Sequence, residues 1–399
     1  MTETRLPLPF DKLRVLELGH AILGPCCGQI LADMGAEVIR IERAPDGDST
    51  RTLPGLGAGF FHFFNRNKKS LVLDLKSEAG KDVLRKLIAS ADVMFDNFAP
   101  GAVDRLGFSY EACATINPRL IYCALKGFMP GPYEHRPSLD NLVQMMGGLA
   151  YMTGPSGKPL RAGASVVDIM GGTYGALGII TALYEREKTG RGQLVRAALF
   201  ESAVYLVAQH MAWTAVTGQP APPMPEAEMP WSVYDLFETR DGETIFIGMT
   251  SDFHWQRFCE VFDQPELFDD ERLQTNTSRC AERAWVIPRL ADVFKVLSTA
   301  QVVERCEKAR IPFAPVRRPD ELFEDPHLNQ SGGLVETVLP DGRKTKLPKL
   351  PVRVGEYDFG LRSEPPRPGE GTRETLQSIG YSDADVRNLM DQGALFIKE

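Results

Sequence analysis

With 399 residues, 43% hydrophobic and 25% charged, the chain exceeds the size at which one core keeps growing and has the composition of a globular enzyme rather than a fibre or disordered tail. Its formal charge of −8 argues against a partner with a phosphate backbone, so no nucleic acid is expected. The start MTETRLPLPFDKLR lacks a signal-peptide stretch, and later apolar runs such as ALGIITALY are too short to span a bilayer, so the expectation is a cytoplasmic protein with no membrane partner.

In chain order, LRVLE alternates and breaks at GHAILGP. CCGQILADMG then has helical spacing, and AEVIRIE alternates again. The pattern repeats: SLVLDL reads as a strand, EAGKDVLRKLIASA as a helix, and DVMFDNF and RLIYCALKGF as further strands. Such alternation predicts a Rossmann-like α/β domain with a parallel sheet and ligands beyond the carboxyl ends of its strands, at GHAILGP, DNFAPG and KGFMPGP. A helix follows from about Asp168 to Thr189, loaded with Gly171, Gly172, Gly175, Ala176 and Gly178. Glycine costs a helix about 1 kcal/mol against alanine, so this density demands a packing or functional reason. Residues 217–230 are Pro-rich and read as a linker. YDLFETRDGETIFIGM then reads as a hairpin turning at Asp241-Gly242, and the stretch to about residue 310 as mainly helical. The predicted organisation is a first part of the large domain over 1–205, a linker over 206–230 and a small α+β domain over 231–325. Residues 326–399 contain a second hairpin, ETVLPDGRKTKLP, and return to the large domain.

The usual site motifs are absent from the sequence. Gly19, Gly24 and Gly28 miss the G-x-G-x-x-G spacing of a dinucleotide turn, although Glu42 ends the second strand where a ribose acid would stand. There is no P-loop, no H-E-x-x-H, no C-x-x-C and no G-x-S-x-G, and the six histidines lie far apart; no metal is expected. The seven cysteines read as reduced and mostly buried, with the adjacent Cys26 and Cys27 as packing residues at a helix start. What stands out is Asp168, after an apolar pair in RAGASVVD and ahead of the glycines. It can be an N-cap that accepts a backbone amide, an attacking carboxylate held ionised by the positive end of the helix, or both. Gly171 and Gly172 would leave room for a ligand.

These residues sit within a longer run of matches. The chain resembles the family III CoA-transferases of the CaiB/BaiF superfamily, relatives of formyl-CoA transferase and carnitine CoA-transferase, over nearly its whole length. The matching stretches are VLELGHAILGP, LADMGAEVIRIE, NRNKKSLVLDLK, NFAPGAVDRLG, NPRLIYCALKGF, GASVVDIMGG, REKTGRGQ, IPFAPV, DPHL and IGYSDADVRNL. The resemblance implies that Asp168 is the nucleophile and forms aspartyl anhydride and aspartyl-CoA thioester intermediates. It implies no permanently bound cofactor, a coenzyme A thioester as substrate, and an interlocked homodimer. His20, Arg43, Leu73, Lys76, Asn97, Phe98 and Arg105 fall where relatives contact CoA, and amides around Gly171 and Gly172 would stabilise oxyanions.

Two rival readings stay open, a CoA-binding protein without catalysis and a racemase of the same superfamily. Racemases carry a G-H-D triplet, whereas here Leu139 precedes Asp140. On the substrate side, Ile22 stands where formyl-CoA transferases have glutamine, and a Pro-rich stretch replaces their tetraglycine loop, which speaks against oxalate. A cluster of His135, Arg136 and Arg161 would pair a second carboxylate, pointing to a dicarboxylic acid with succinyl-CoA as donor.

Overall fold

A computed structural model describes residues 7–397. The chain divides into two compact units, residues 1–226 with 329–399 and residues 227–328.

The larger unit is built on a seven-stranded sheet whose first six strands are β1 (Arg14–Leu18), β2 (Glu37–Arg43), β3 (Lys68–Leu73), β4 (Val93–Asp96), β5 (Ile121–Lys126) and β6 (Leu194–Ala198). They pair in the order 3-2-1-4-5-6, all parallel. The chain order reverses between β1 and β4, which opens a crevice at their carboxyl ends where open α/β sheets take ligands. The helices are α1 (Leu23–Asp33), α2 (Phe60–Phe64), α3 (Glu78–Ser90), α4 (Ala102–Leu106), α5 (Tyr110–Ile116), α6 (Asp140–Met146), α7 (Leu149–Thr153), α8 (Val166–Thr189), α9 (Leu199–Leu206) and α10 (Ala208–Thr217). Alternation in β1 sends Leu16 and Leu18 into a core with α3 and the terminal helices Thr372–Ser378 and Asp383–Asp391. It sends Val15 into a second core with α1, α8 and α9. Both faces of the sheet are therefore covered, as a parallel sheet requires.

β1 to β5 and both hairpins lie where the sequence predicts them, whereas β6 was not expected. β7 (Val233–Glu238) and β8 (Thr244–Met249) form the hairpin at Asp241-Gly242, with Gly242 at φ +78°, and β9 (Phe313–Pro315) completes a three-stranded sheet in the smaller unit. β10 (Leu334–Val338) pairs with β11 (Lys344–Pro348), and β12 (Leu395–Phe396) adds antiparallel to β3.

Two expectations are corrected. The stretch taken as a linker from residue 206 is helical over Ala208–Thr217, because its apolar residues outnumber its breakers until Gly218 stops the helix at φ +71°. α8, at 24 residues, is by length and composition apolar enough to cross a membrane, contrary to the reading that no run is. Its Ala176, Ile179 and Leu183 are buried in the core instead, so its apolar character has a packing reason. All seven cysteines are free, and six are buried.

Candidate active site

The crevice between β1 and β4 is closed at its base by a mutual latch. Asn97, just past β4, accepts from the His20 amide at 2.9 Å and donates to the His20 carbonyl at 2.9 Å, so one side chain satisfies both backbone groups of a turn outside any ladder. The His20 ring lies 6.0 Å from that of Phe98. Though the residue is exposed overall, desolvation of its ring, helped by the charges of Arg40 and Lys126, holds the imidazole below its ordinary value. Lys126, ending β5, pairs with the Asp96 carboxylate and donates to the Phe98 carbonyl at 3.0 Å. Asp96 also accepts from the Tyr122 hydroxyl at 2.9 Å. The β4–α4 turn is thus held by two charged groups as well as by Asn97.

Arg43 ends β2, Lys76 follows the carboxyl end of β3, and Arg105 lies in α4. All three are exposed and carry no carboxylate partner among the described residues. Leu73 differs: the whole residue is only 2% exposed, its side chain sits in the core, and it is paired on both sides with Arg43 and Leu395, so it is corrected from a CoA contact to a core residue.

Across the crevice stands the first turn of α8. The sequence starts this helix at Asp168 and offers that residue as its cap. The helix begins two residues earlier, with Ser165 at the N-cap position and no side-chain bond from it. The capping is done from another helix. Asp140 Oδ2 accepts the amides of Val167 at 3.0 Å and Asp168 at 3.2 Å, and Oδ1 accepts Gln144 Nε2 at 2.6 Å. Gln144 in turn accepts the Ala162 amide at 2.8 Å, tying down the loop that leads into α8. Arg161 stands 3.6 Å from Asp140 and donates to the Ala164 carbonyl at 2.9 Å.

Relieved of capping, the Asp168 carboxylate has no hydrogen bond or ion pair among the described residues. Burial first, then the negative charge of Asp140, push it up to about 7, with Arg161 pulling the other way. The expectation that the helix end holds it firmly ionised is corrected: two carboxylates at one helix start oppose each other's charge.

Gly171 and Gly172 are corrected as well. Both lie inside α8, where their amides bond to the carbonyls four residues back and are not free for an oxyanion. A Cβ on Gly172 would stand 2.7 Å from the Leu23 carbonyl oxygen and 2.9 Å from Cys26 Cβ; on Gly171 it would stand 2.8 Å from Leu23 Cδ1. The missing side chains admit α1, not a ligand. Gly172→Ala is accordingly expected to cost about 1–3 kcal/mol in denaturant unfolding despite the better helix propensity of alanine, because a backbone carbonyl cannot swing aside.

Of the cluster expected to hold a second carboxylate, only Arg161 is coupled to Asp168. His135 pairs its neighbour Glu134 at 3.2 Å with most of its side chain exposed, and Arg136 stacks on Tyr133 at 4.0 Å. Leu139, where a racemase would carry its histidine, is 72% exposed and offers no proton.

The sequence profile described as CoA-transferase family III matches residues 10–372. The chain belongs to this family. This CoA-transferase is 31% identical over 383 residues to a succinate–glutarate CoA-transferase of Agrobacterium fabrum, covering 93% of this chain and 96% of that protein. It is 30% identical to a human succinyl-CoA:glutarate CoA-transferase, over 97% of this chain and 90% of that one. An acetyl-CoA:oxalate CoA-transferase of Acetobacter aceti is 36% identical, over 88% and 90% of the two chains. Among solved structures, a CaiB/BaiF family protein from Brucella suis superposes with a TM-score of 0.84 at 32% identity, covering 94% of this chain and all of that one.

Asp140 and Gln144 were not singled out as site residues from the sequence, apart from the place of Asp140 after Leu139. Their contacts to the α8 turn span 18 to 28 residues, and no local pattern announces a cap supplied from so far away.

Proposed function

We propose that the enzyme moves CoA from an acyl-CoA donor to a dicarboxylic acid through Asp168. The observation that carries this reading is a half-buried carboxylate at a helix start with no structural bond of its own. An Asp168 oxygen attacks the thioester carbonyl, the C–S bond breaks, and CoA leaves as thiolate while a mixed anhydride forms. The thiolate then attacks the aspartyl carbon, the donor acid departs as carboxylate, and a β-aspartyl-CoA thioester remains. The acceptor carboxylate reverses the sequence. Each step exchanges one activated acyl bond for another, so no net proton or energy input is needed. Arg43, Lys76 and Arg105 supply positive charge for the CoA phosphates on the strand-end side, and His20, Asn97 and Phe98 form the wall along which pantetheine runs.

Succinyl-CoA as donor and a C4 to C6 diacid such as glutarate as acceptor agree with the names of two relatives. Ile22, 3% exposed and packed with Cys26 and Phe64, offers no polar group to oxalate. We assign the distal carboxylate to Arg161, whose charge acts on Asp168 and which stands 3.6 Å from Asp140. Steady-state transfer from succinyl-CoA to glutarate tests the reading: Arg161→Met should raise the acceptor KM for diacids about tenfold or more while leaving that for monocarboxylates unchanged, since a charged contact is worth roughly 1.5–3 kcal/mol. Equal KM values for diacids in both proteins would remove Arg161 from the assignment.

A homodimer is part of the same reading. Supporting it, α8 to α10 expose the large apolar side chains Leu177, Tyr184, Tyr205, Met211 and Val216, residue types that a partner surface would cover. Sedimentation equilibrium at micromolar concentration should give twice the chain mass of 44.2 kDa; a single-chain mass would refute it.

A further inference from the structure

Glu17, Arg40, Glu42, Lys68 and Ser70 all project from one face of the parallel sheet, as the register pairs Glu17 with Arg40, Val38 with Lys68 and Arg40 with Ser70. That face is buried: Glu17 and Arg40 are fully enclosed and Lys68 is 3% exposed. An interior sheet face covered by α1 would ordinarily carry aliphatic residues at such positions, as Val15 and Val38 do. Replacing a buried ion pair by apolar groups of similar size is often neutral or stabilising, so these charges are poor candidates for fold stability alone.

Glu42 and Ser70 bond to each other, to Arg51 and to the Gly369 amide; Glu17, Arg40 and Lys68 reach the β1–α1 segment, and the two cations also share Asn65. Lys68 Nζ pairs with Glu17 Oε2 at 2.7 Å and donates to the Pro25 carbonyl at 2.9 Å, in the first turn of α1. Arg40 stands 3.4 Å from Glu17, pairs with Asp48, and donates to the Gly19 carbonyl at 3.1 Å. Glu17 in turn occupies the space a Cβ on Gly28 would need, so that α1 can lie directly on the carboxylate. The turn these groups support runs from Gly19 to Ile22. It includes Ala21 at φ +59°, a left-handed conformation costly for alanine that persists only when its surroundings impose it. Above it sits His20, latched to Asn97. Beside it the Leu23 carbonyl and Cys26 meet Gly172, one turn along from Asp168.

We propose that Arg40, Lys68 and Glu17 are positioning residues that set the β1–α1 turn against the Asp168 turn to receive the acyl-CoA donor. The inference rests on the CoA-transfer reading of Asp168. Arg40 and Lys68 each hold a backbone carbonyl, Glu17 lies between the two cations and offsets their mutual repulsion, and Asn97 holds both backbone groups of His20. None of the three reaches the reacting atoms; they act through the turn.

The test is donor and acceptor kinetics of the Glu17→Gln/Lys68→Met double variant, which removes one charge of each sign and keeps side-chain bulk. The expected result is a thermal midpoint within a few degrees of the parent, a donor KM raised about tenfold and an acceptor KM unchanged, because CoA is already tethered when the acceptor binds. Equal donor KM values in a folded variant would overturn the proposal. So would a fall in kcat that merely tracks the folded fraction, since that is the mark of a stability role. If the double variant does not fold, Arg40→Lys decides instead: it retains the charge but shortens the reach to Gly19, and the same donor-specific rise is expected, with an unchanged donor KM again overturning the proposal. A parent protein that transfers no CoA at all would sink the functional reading itself, separately from this inference.

Discussion

Asp168→Asn is expected to lower CoA transfer by at least about 10³-fold while the protein stays folded, because the amide is isosteric but cannot form an anhydride. Incubation of the parent with succinyl-CoA and hydroxylamine should convert the peptide containing Asp168 to a hydroxamate, visible by mass; the variant peptide should stay unmodified. Transfer by the variant at a tenth of the parent rate, or a parent peptide that never reacts, would remove the covalent route. The substitution also has a stability consequence of definite sign. The Asp168 carboxyl is raised to about 7 in the folded protein from an ordinary value of 3.8, by burial and by Asp140. Between those two values the folded state holds a proton that the unfolded chain has lost, so stability falls as pH rises from about 4 to about 7 and the penalty is complete above that. Asparagine carries no such penalty. At pH 8 Asp168→Asn should therefore unfold at a higher denaturant concentration, by about 1 kcal/mol after allowing for the partial access of solvent to this site.

Donor kcat/KM should rise with pH along a single acidic limb centred near 7, since only the ionised Asp168 attacks. Asp140→Asn should move that limb down by roughly one pH unit, because a neutral neighbour no longer opposes ionisation and Arg161 is freed to favour it. The price is a weaker cap. The asparagine oxygen can still accept the Val167 and Asp168 amides, but its NH2 faces the Gln144 donor that Asp140 now satisfies. A loss of about 1 kcal/mol in stability should accompany the shift. An acidic limb that stays in place would mean that burial alone, not Asp140, sets the titration of the nucleophile.

The two carboxylates divide roles that the sequence assigns to one. Asp168 reads as both cap and nucleophile because it opens the glycine-loaded stretch, and helix boundaries are least legible where a cap comes from elsewhere. Once Asp140 takes the amides, the Asp168 carboxylate is left without a hydrogen bond among the described residues, and the same closeness that provides the cap pushes its pKa up. The glycines changed meaning for a related reason. Their density signals close approach, but what approaches Gly172, the Leu23 carbonyl and Cys26, lies 149 and 146 residues earlier in the chain.

Short-range pattern in the amino-acid sequence determined the first five strands of the parallel sheet, the two hairpins with their Asp-Gly turns, and the prominence of Asp168 ahead of a glycine-loaded helix; the role of that carboxylate came from the family resemblance. Alternation, turn residues and an unusual local composition are properties of neighbouring residues, so they can be read without coordinates. The tertiary structure alone decided the strand order that places His20 and Asn97 at one crevice, the transfer of capping to Asp140, the packing use of Gly171 and Gly172, the different partners of Arg161, His135 and Arg136, and the buried charges beneath the β1–α1 turn. Each of these depends on distances between residues far apart in the chain, and electrostatic and steric energies follow those distances, not sequence spacing.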